Sequence, residues 1–121
     1  MDCDTEEHHV LVVDDQEDIR IALQEILECE GFAVTTASHG REALHRLQEG
    51  RLPCLILLDL MMPVMNGQEF KAAVRGDPVL GSLPVIVLTA GDPRGAPSDV
   101  AAVIRKPLAL DLLLSTIRRF C

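Results

Sequence analysis

The chain has 121 residues, 48% hydrophobic and 25% charged, with 19 acidic against 11 basic side chains and a formal net charge of −8. This is the balance of one globular domain with a proper core, and it excludes disordered and fibrous classes. No basic stripe is available to neutralise phosphates, so nucleic acid is not the expected direct partner.

The expected unit is a single domain over 1–121, with 1–8 as a polar lead-in. The acid excess suits a divalent cation, a partner with a basic surface, or solubility alone. No apolar run approaches the roughly 20 residues of a membrane-spanning helix. The acidic, polar N-terminus is unlike a secretion signal, so the expected location is cytoplasmic, away from membranes. Cys3, Cys29, Cys54 and Cys121 are far apart with no CxxC pair, and all four read as reduced thiols. His8 and His9 read as part of the polar lead-in rather than as ligands.

In chain order, His9 to Val13 is an apolar strand running into the acidic turn Asp14-Asp15-Gln16-Glu17-Asp18. Ile19, Ala22, Leu23, Ile26 and Leu27 recur at helical spacing, and Gly31 stops that helix in a left-handed cap. Phe32 to Thr36 is a short strand, and Ser38 is placed to cap a helix with Ala43, Leu44 and Leu47 inward and Gly50 at its end. Cys54 to Leu58 is a third strand ending in Asp59, stopped shortly after by Pro63. Asn66-Gly67 opens a helix with Phe70, Ala73 and Val74 inward and Gly76 at its end, and Val85 to Leu88 is a fourth strand running into Thr89.

From Ala90 to Asp99 the chain carries two glycines and two prolines where the alternation requires a helix. Each interior proline costs about 3 kcal/mol and each glycine about 1 kcal/mol relative to alanine, so a loop with at most one helical turn is expected. Ala102 to Arg105 is the fifth strand, and Leu110, Leu113, Leu114 and Ile117 form the stripe of a last helix ending in Arg118-Arg119. The sum is (βα)5, a doubly wound five-stranded parallel α/β sheet whose fourth helix is shortened or replaced by a loop.

In such a sheet the carboxyl ends of the strands share one edge, so Asp14, Asp15, Asp59, Thr89 and Lys106 converge on one crevice. Three carboxylates there repel one another, and a hard divalent cation such as Mg2+ resolves that repulsion. With Lys106 as a movable cation and Thr89 as a hydroxyl donor, the set suits a phosphoryl group. A carboxylate can itself be the nucleophile, and Asp59, alone at the end of a central strand, is the best candidate. Taken singly, each has a plainer reading: Asp14-Asp15 as acids serving a helix dipole, Thr89 as a strand end, Lys106 as a solvated charge. Met61, Met62 and Met65 read as loop packing.

Val-Val-Asp-Asp, Leu-Leu-Asp-Leu-Met-Met-Pro-Val-Met-Asn-Gly, Val-Leu-Thr-Ala and Arg-Lys-Pro-Leu occur in this order between Val10 and Phe120. Through them the chain resembles the receiver domains of two-component response regulators. The resemblance implies the flavodoxin-like strand order 2-1-3-4-5 and a phosphorelay role, with Asp59 phosphorylated by a histidine kinase or histidine phosphotransfer protein. Mg2+ would be bound by Asp15, Asp59 and the Met61 backbone carbonyl, with Asp14 acting through water. Thr89 would bond the phosphoryl oxygen, Lys106 would pair with it, and a Lys106-Pro107 bond, usually cis, would orient the lysine. The helix around Ile19 and the turn after Lys106 would form the docking surface. The domain would catalyse its own phosphotransfer and slow dephosphorylation without being an enzyme in the ordinary sense.

The chain departs from that family at its output side. Val103 stands where an aromatic switch residue is usual, and Lys106 follows Thr89 by 17 residues, several fewer than normal. An atypical readout is expected, and a homodimer is left open. Met61 and Gly91 occupy the positions that tune phosphate lifetime, and neither orients water by charge. No DNA-binding or enzymatic pattern follows the last helix, so the sequence reads as a receiver with no attached output, stand-alone or cut from a longer protein. The competing readings are an aspartate-nucleophile phosphatase, which would normally carry an acid where Met61 stands, and a degenerate receiver acting only as a protein-binding module.

Overall fold

Three runs of apolar residues become the wholly buried strands of one sheet. A computed structural model describes residues 8–49, 52–59, 67–77, 80–90, 100–106 and 109–120. Within them the order is β1 (His9–Val13), α1 (Glu17–Cys29), β2 (Ala33–Ala37), α2 (Gly40–Glu49), β3 (Leu55–Asp59), α3 (Gly67–Arg75), a 3-10 turn (Leu80–Ser82), β4 (Val85–Thr89), β5 (Ala102–Arg105) and α4 (Leu110–Phe120). All four strand pairings are parallel, and the sheet order is β2-β1-β3-β4-β5, as expected for a flavodoxin-like fold. The loop expected between β4 and β5 falls on 91–99, outside the described residues, as do Gly50, Met61 and Pro107.

Every residue of β1, β3 and β4 is buried, which is what a sheet covered on both faces demands. Alternate residues divide between two cores. Val10, Val12, Leu55, Leu57, Ile86 and Leu88 pack with Leu23 and Leu27 of α1 and with Leu113 and Ile117 of α4. Leu11, Val13, Ile56, Leu58 and Val87 pack with Ala43 and Leu47 of α2 and with Phe70 and Val74 of α3.

The helical stripes are narrower than their sequence spacing suggests. Ala22, Ala73 and Leu110 are exposed, because each lies at the margin of a stripe whose centre already fills the sheet face. Lys71, outside the apolar stripe of α3, is buried. His9, expected to open the first strand though it also reads as polar lead-in, is a buried residue of β1 whose Nε2 hydrogen-bonds Thr35 Oγ1 on β2. Cys54 is disulfide-bonded rather than reduced, whereas Cys29 is free and exposed.

The end of α1 follows its sequence. Gly31 has φ +95°, the Gly31 N–H donates to Glu28 O at 3.1 Å and the Phe32 N–H to Leu27 O at 3.0 Å, which together make a Schellman motif. Its hydrophobic seal is the joint burial of Leu27 and Phe32 in one core.

The start of α2 does not follow the expected cap. The Glu42 carboxylate accepts both the Ser38 N–H at 2.7 Å and the Ser38 hydroxyl at 2.8 Å, so that hydroxyl is not spent on the helix. His39 caps instead, its Nδ1 accepting the Glu42 N–H at 3.2 Å. The two Ser38 hydrogen bonds, backbone first, and then Arg46 hold the Glu42 carboxyl below its ordinary 4.5 against the opposing effect of burial.

Candidate functional site

The strand register assembles the site. Val13 pairs with Leu58, so the next residues along β1 and β3, Asp14 and Asp59, emerge side by side. Asp59 pairs with Leu88, and Thr89 pairs with Arg105, so Thr89 ends β4 next to them and Lys106 follows just beyond β5. The Lys106 N–H donates to Thr89 O at 2.8 Å, extending the ladder by one bond and fixing where the lysine stem begins.

Asp14, Asp59 and Thr89 are buried and Asp15 is exposed. One carboxylate oxygen from each of Asp14, Asp15 and Asp59 lies within 4.8 Å of the others. Lys106 Nζ sits 3.2 Å from Asp14 Oδ2 and 3.7 Å from Asp59 Oδ1. Five of the residues picked out by sequence are thus in one crevice. Val103 is half-buried against the α2/α3 core, and the Met61 carbonyl and Pro107 lie outside the described residues.

Two residues that sequence reasoning passed over complete the turn. The Gln16 N–H donates to Asp14 Oδ1 at 2.9 Å, and Arg20 Nη1 donates to the Asp14 carbonyl oxygen at 2.8 Å. The Asp14 N–H in turn donates to Ala37 O at 3.1 Å. The available signal was the arginine one helical turn into α1, close enough to fold back on the acidic turn.

Chemically, an all-oxygen, anionic donor set partly open to water fits a hard cation rather than a soft one. Among the described residues no helix is long and apolar enough to cross a membrane.

Comparison with known proteins agrees with this geometry. The response regulator receiver domain family matches residues 10–118. The phosphate regulon transcriptional regulatory protein PhoB of Rhizobium meliloti is 38% identical over 114 residues, covering 90% of this chain and 50% of that protein. The transcriptional regulatory protein CpxR homolog of Haemophilus influenzae is 43% identical over 102 residues, covering 84% of this chain and 40% of that one. The chain therefore spans about half the length of the curated relatives it matches. Among solved structures, the Vibrio cholerae chemotaxis protein CheY4 superposes with a TM-score of 0.83 at 34% identity, covering 94% of this chain and 98% of that one. A response regulator receiver protein from Pseudomonas putida reaches a TM-score of 0.87 at 27% identity, covering 93% and 97%. With its sheet order, its acidic crevice and these relatives in agreement, the chain belongs to the family of receiver domains of two-component response regulators.

Proposed function

We propose that this receiver is a cytoplasmic phosphoacceptor in which Asp59 takes a phosphoryl group from a phosphohistidine of a histidine kinase or histidine phosphotransfer protein. The observation that supports this reading is the meeting of three carboxylates with one lysine amine, 3.2 Å from Asp14 and 3.7 Å from Asp59, at the carboxyl ends of the strands. In the transfer, an Asp59 carboxylate oxygen forms a bond to phosphorus as the phosphorus–nitrogen bond of the donor breaks, and the imidazole leaves with that electron pair. The incoming group adds negative charge. In this reading Lys106 shifts its pairing from Asp14 toward it, and the Thr89 hydroxyl donates a hydrogen bond to it.

Mg2+ fits the acidic donor set: Asp15 and Asp59 with the Met61 carbonyl would hold it, Asp14 would act through water, and when bound it would supply charge neutralisation at the phosphoryl oxygens. Met61 and Gly91 offer no charged side chain to orient an attacking water, so the aspartyl phosphate is slow to hydrolyse. Valine at 103 cannot act as an aromatic switch, so the phosphorylated state is read out differently. With no basic stripe, the domain makes no direct contact with nucleic acid.

The test is incubation with Mg2+ and acetyl phosphate followed by intact mass measurement. The wild type gains one phosphoryl group and Asp59→Asn gains none. An unmodified wild type overturns the reading in favour of a binding module, and continuous release of phosphate from many substrates overturns it in favour of a phosphatase.

A further inference from the structure

We propose that Arg20 is a positioning residue for the acid pair: its hold on the Asp14 carbonyl orients the Asp14–Asp15 peptide so that the Asp15 carboxylate reaches the shared cation site. The inference rests on the cation-binding reading given above and assigns to that site a residue that contributes no ligand.

The argument begins with Asp15. It is exposed and makes no hydrogen bond among the described residues, yet one of its carboxylate oxygens lies within 4.8 Å of those of Asp14 and Asp59. The region that carboxylate can reach is therefore set by its backbone. The peptide unit joining Asp14 to Asp15 is planar, so fixing the Asp14 oxygen fixes the Asp15 nitrogen and the plane from which Asp15 projects. That oxygen accepts Arg20 Nη1 at 2.8 Å.

The other polar groups of Asp14 are tied elsewhere: its N–H to Ala37 O, Oδ1 to the Gln16 N–H, and Oδ2 to Lys106. These bonds hold Asp14 itself, and the Gln16 bond, closing a turn over residues 14–16, narrows the rotation of the following peptide plane about the bond from Cα to the carbonyl carbon without engaging that peptide's own oxygen. Arg20 fixes that oxygen from α1, where its own N–H is anchored to Gln16 O at 3.0 Å. A half-buried guanidinium, permanently charged and weakly hydrated, suits such a clamp.

The same guanidinium also brings positive charge near a cation site, and the two effects have opposite signs. Positioning by Arg20 strengthens Mg2+ binding, whereas its charge alone weakens it. Arg20→Met keeps most of the apolar stem and removes both donors and charge; Arg20→Lys keeps the charge and one donor.

Mg2+ titration by calorimetry, with the thermal melt followed in parallel without Mg2+, separates these. Arg20→Met is expected to bind Mg2+ roughly 10-fold more weakly, the scale of losing an outer-shell partner, and Arg20→Lys to recover most of that loss. Labelling by acetyl phosphate should then require more Mg2+ but reach nearly the wild-type rate at saturation, a split that loss of fold would not give. Should Arg20→Met fail to fold, Arg20→Gln, too short to reach the same oxygen, is expected to show the same weakening. Equal or tighter Mg2+ binding by the folded neutral variant overturns the inference. A wild type that binds no Mg2+ brings down the cation-binding reading itself, so the two failures are distinct.

Discussion

Lys106 Nζ is bonded to Asp14 Oδ2 at 3.2 Å across 92 residues of sequence, and the Asp14 side chain is only 1% exposed. The lysine thereby serves as the counter-ion of a buried carboxylate that β1 delivers to the crevice. Among the described residues one amine faces three clustered carboxylates, which leaves repulsion uncompensated, an imbalance that a bound cation would relieve.

Removing one of the acids should therefore stabilise the protein in the absence of metal. Asp59→Asn is expected to raise stability by about 0.5–2 kcal/mol in EDTA, as with other relieved functional sites. Saturating Mg2+ should reverse the order, since a cation at about 100 times its Kd adds about 2.7 kcal/mol to the wild type and less to a variant that binds it poorly. Urea unfolding with and without Mg2+ checks both arms; an Asp59→Asn variant less stable in EDTA sinks the idea.

The Glu42–Ser38 pairing predicts an acid sensitivity of known sign. The Glu42 carboxyl is held below 4.5 in the folded protein, so between its folded and unfolded values the unfolded chain binds more protons. Its contribution is complete above 4.5 and disappears as pH falls through the folded value. Because the side chain is 34% exposed, the effect is of cap size, below about 1 kcal/mol. Unfolding midpoints of wild type and Glu42→Gln should differ at neutral pH and converge under acid.

At Gly31 the prediction separates conformation from packing. A Cβ added there would meet nothing within 4 Å, yet φ is +95°. Gly31→Ala should cost about 1 kcal/mol by backbone strain alone. A neutral effect in denaturant unfolding would mean that the end of α1 can rearrange.

The two cores predict a sharp contrast with surface apolar residues. Phe70, fully buried between α3 and the sheet, should cost about 3–5 kcal/mol when cut to alanine. Ile21, 47% exposed on α1, should change stability by less than about 0.5 kcal/mol. Equal losses, read from denaturation midpoints, would mean that Ile21 is covered in solution.

Much of the architecture can be read from residue pattern, since a strand buried on both faces must be apolar throughout and a strand end that carries an acid must face water or a charge. Val10 to Val13, Leu55 to Leu58 and Val85 to Leu88 announced themselves in this way, and so did the convergence of Asp14, Asp59, Thr89 and Lys106. Gly31 was legible for the same local reason, because only its own backbone conformation was at stake.

Competition between partners is what pattern could not resolve. Ser38 has the chemistry of a cap, but Glu42 claims its hydroxyl and leaves the helix end to His39. Cys54 resembles a reduced core thiol, but it is disulfide-bonded. Ala22, Ala73 and Leu110 have the spacing of buried residues, yet the width of the sheet face decides which stripe positions it covers. By itself the sequence determined which side chains reach the crevice, because period and register are properties of a strand and its neighbours. Only the tertiary structure decided that Lys106 lies nearer Asp14 than Asp59 and that Arg20 holds the turn between the acids. Those contacts depend on angstrom-scale distances between elements far apart in the chain, which residue spacing does not encode.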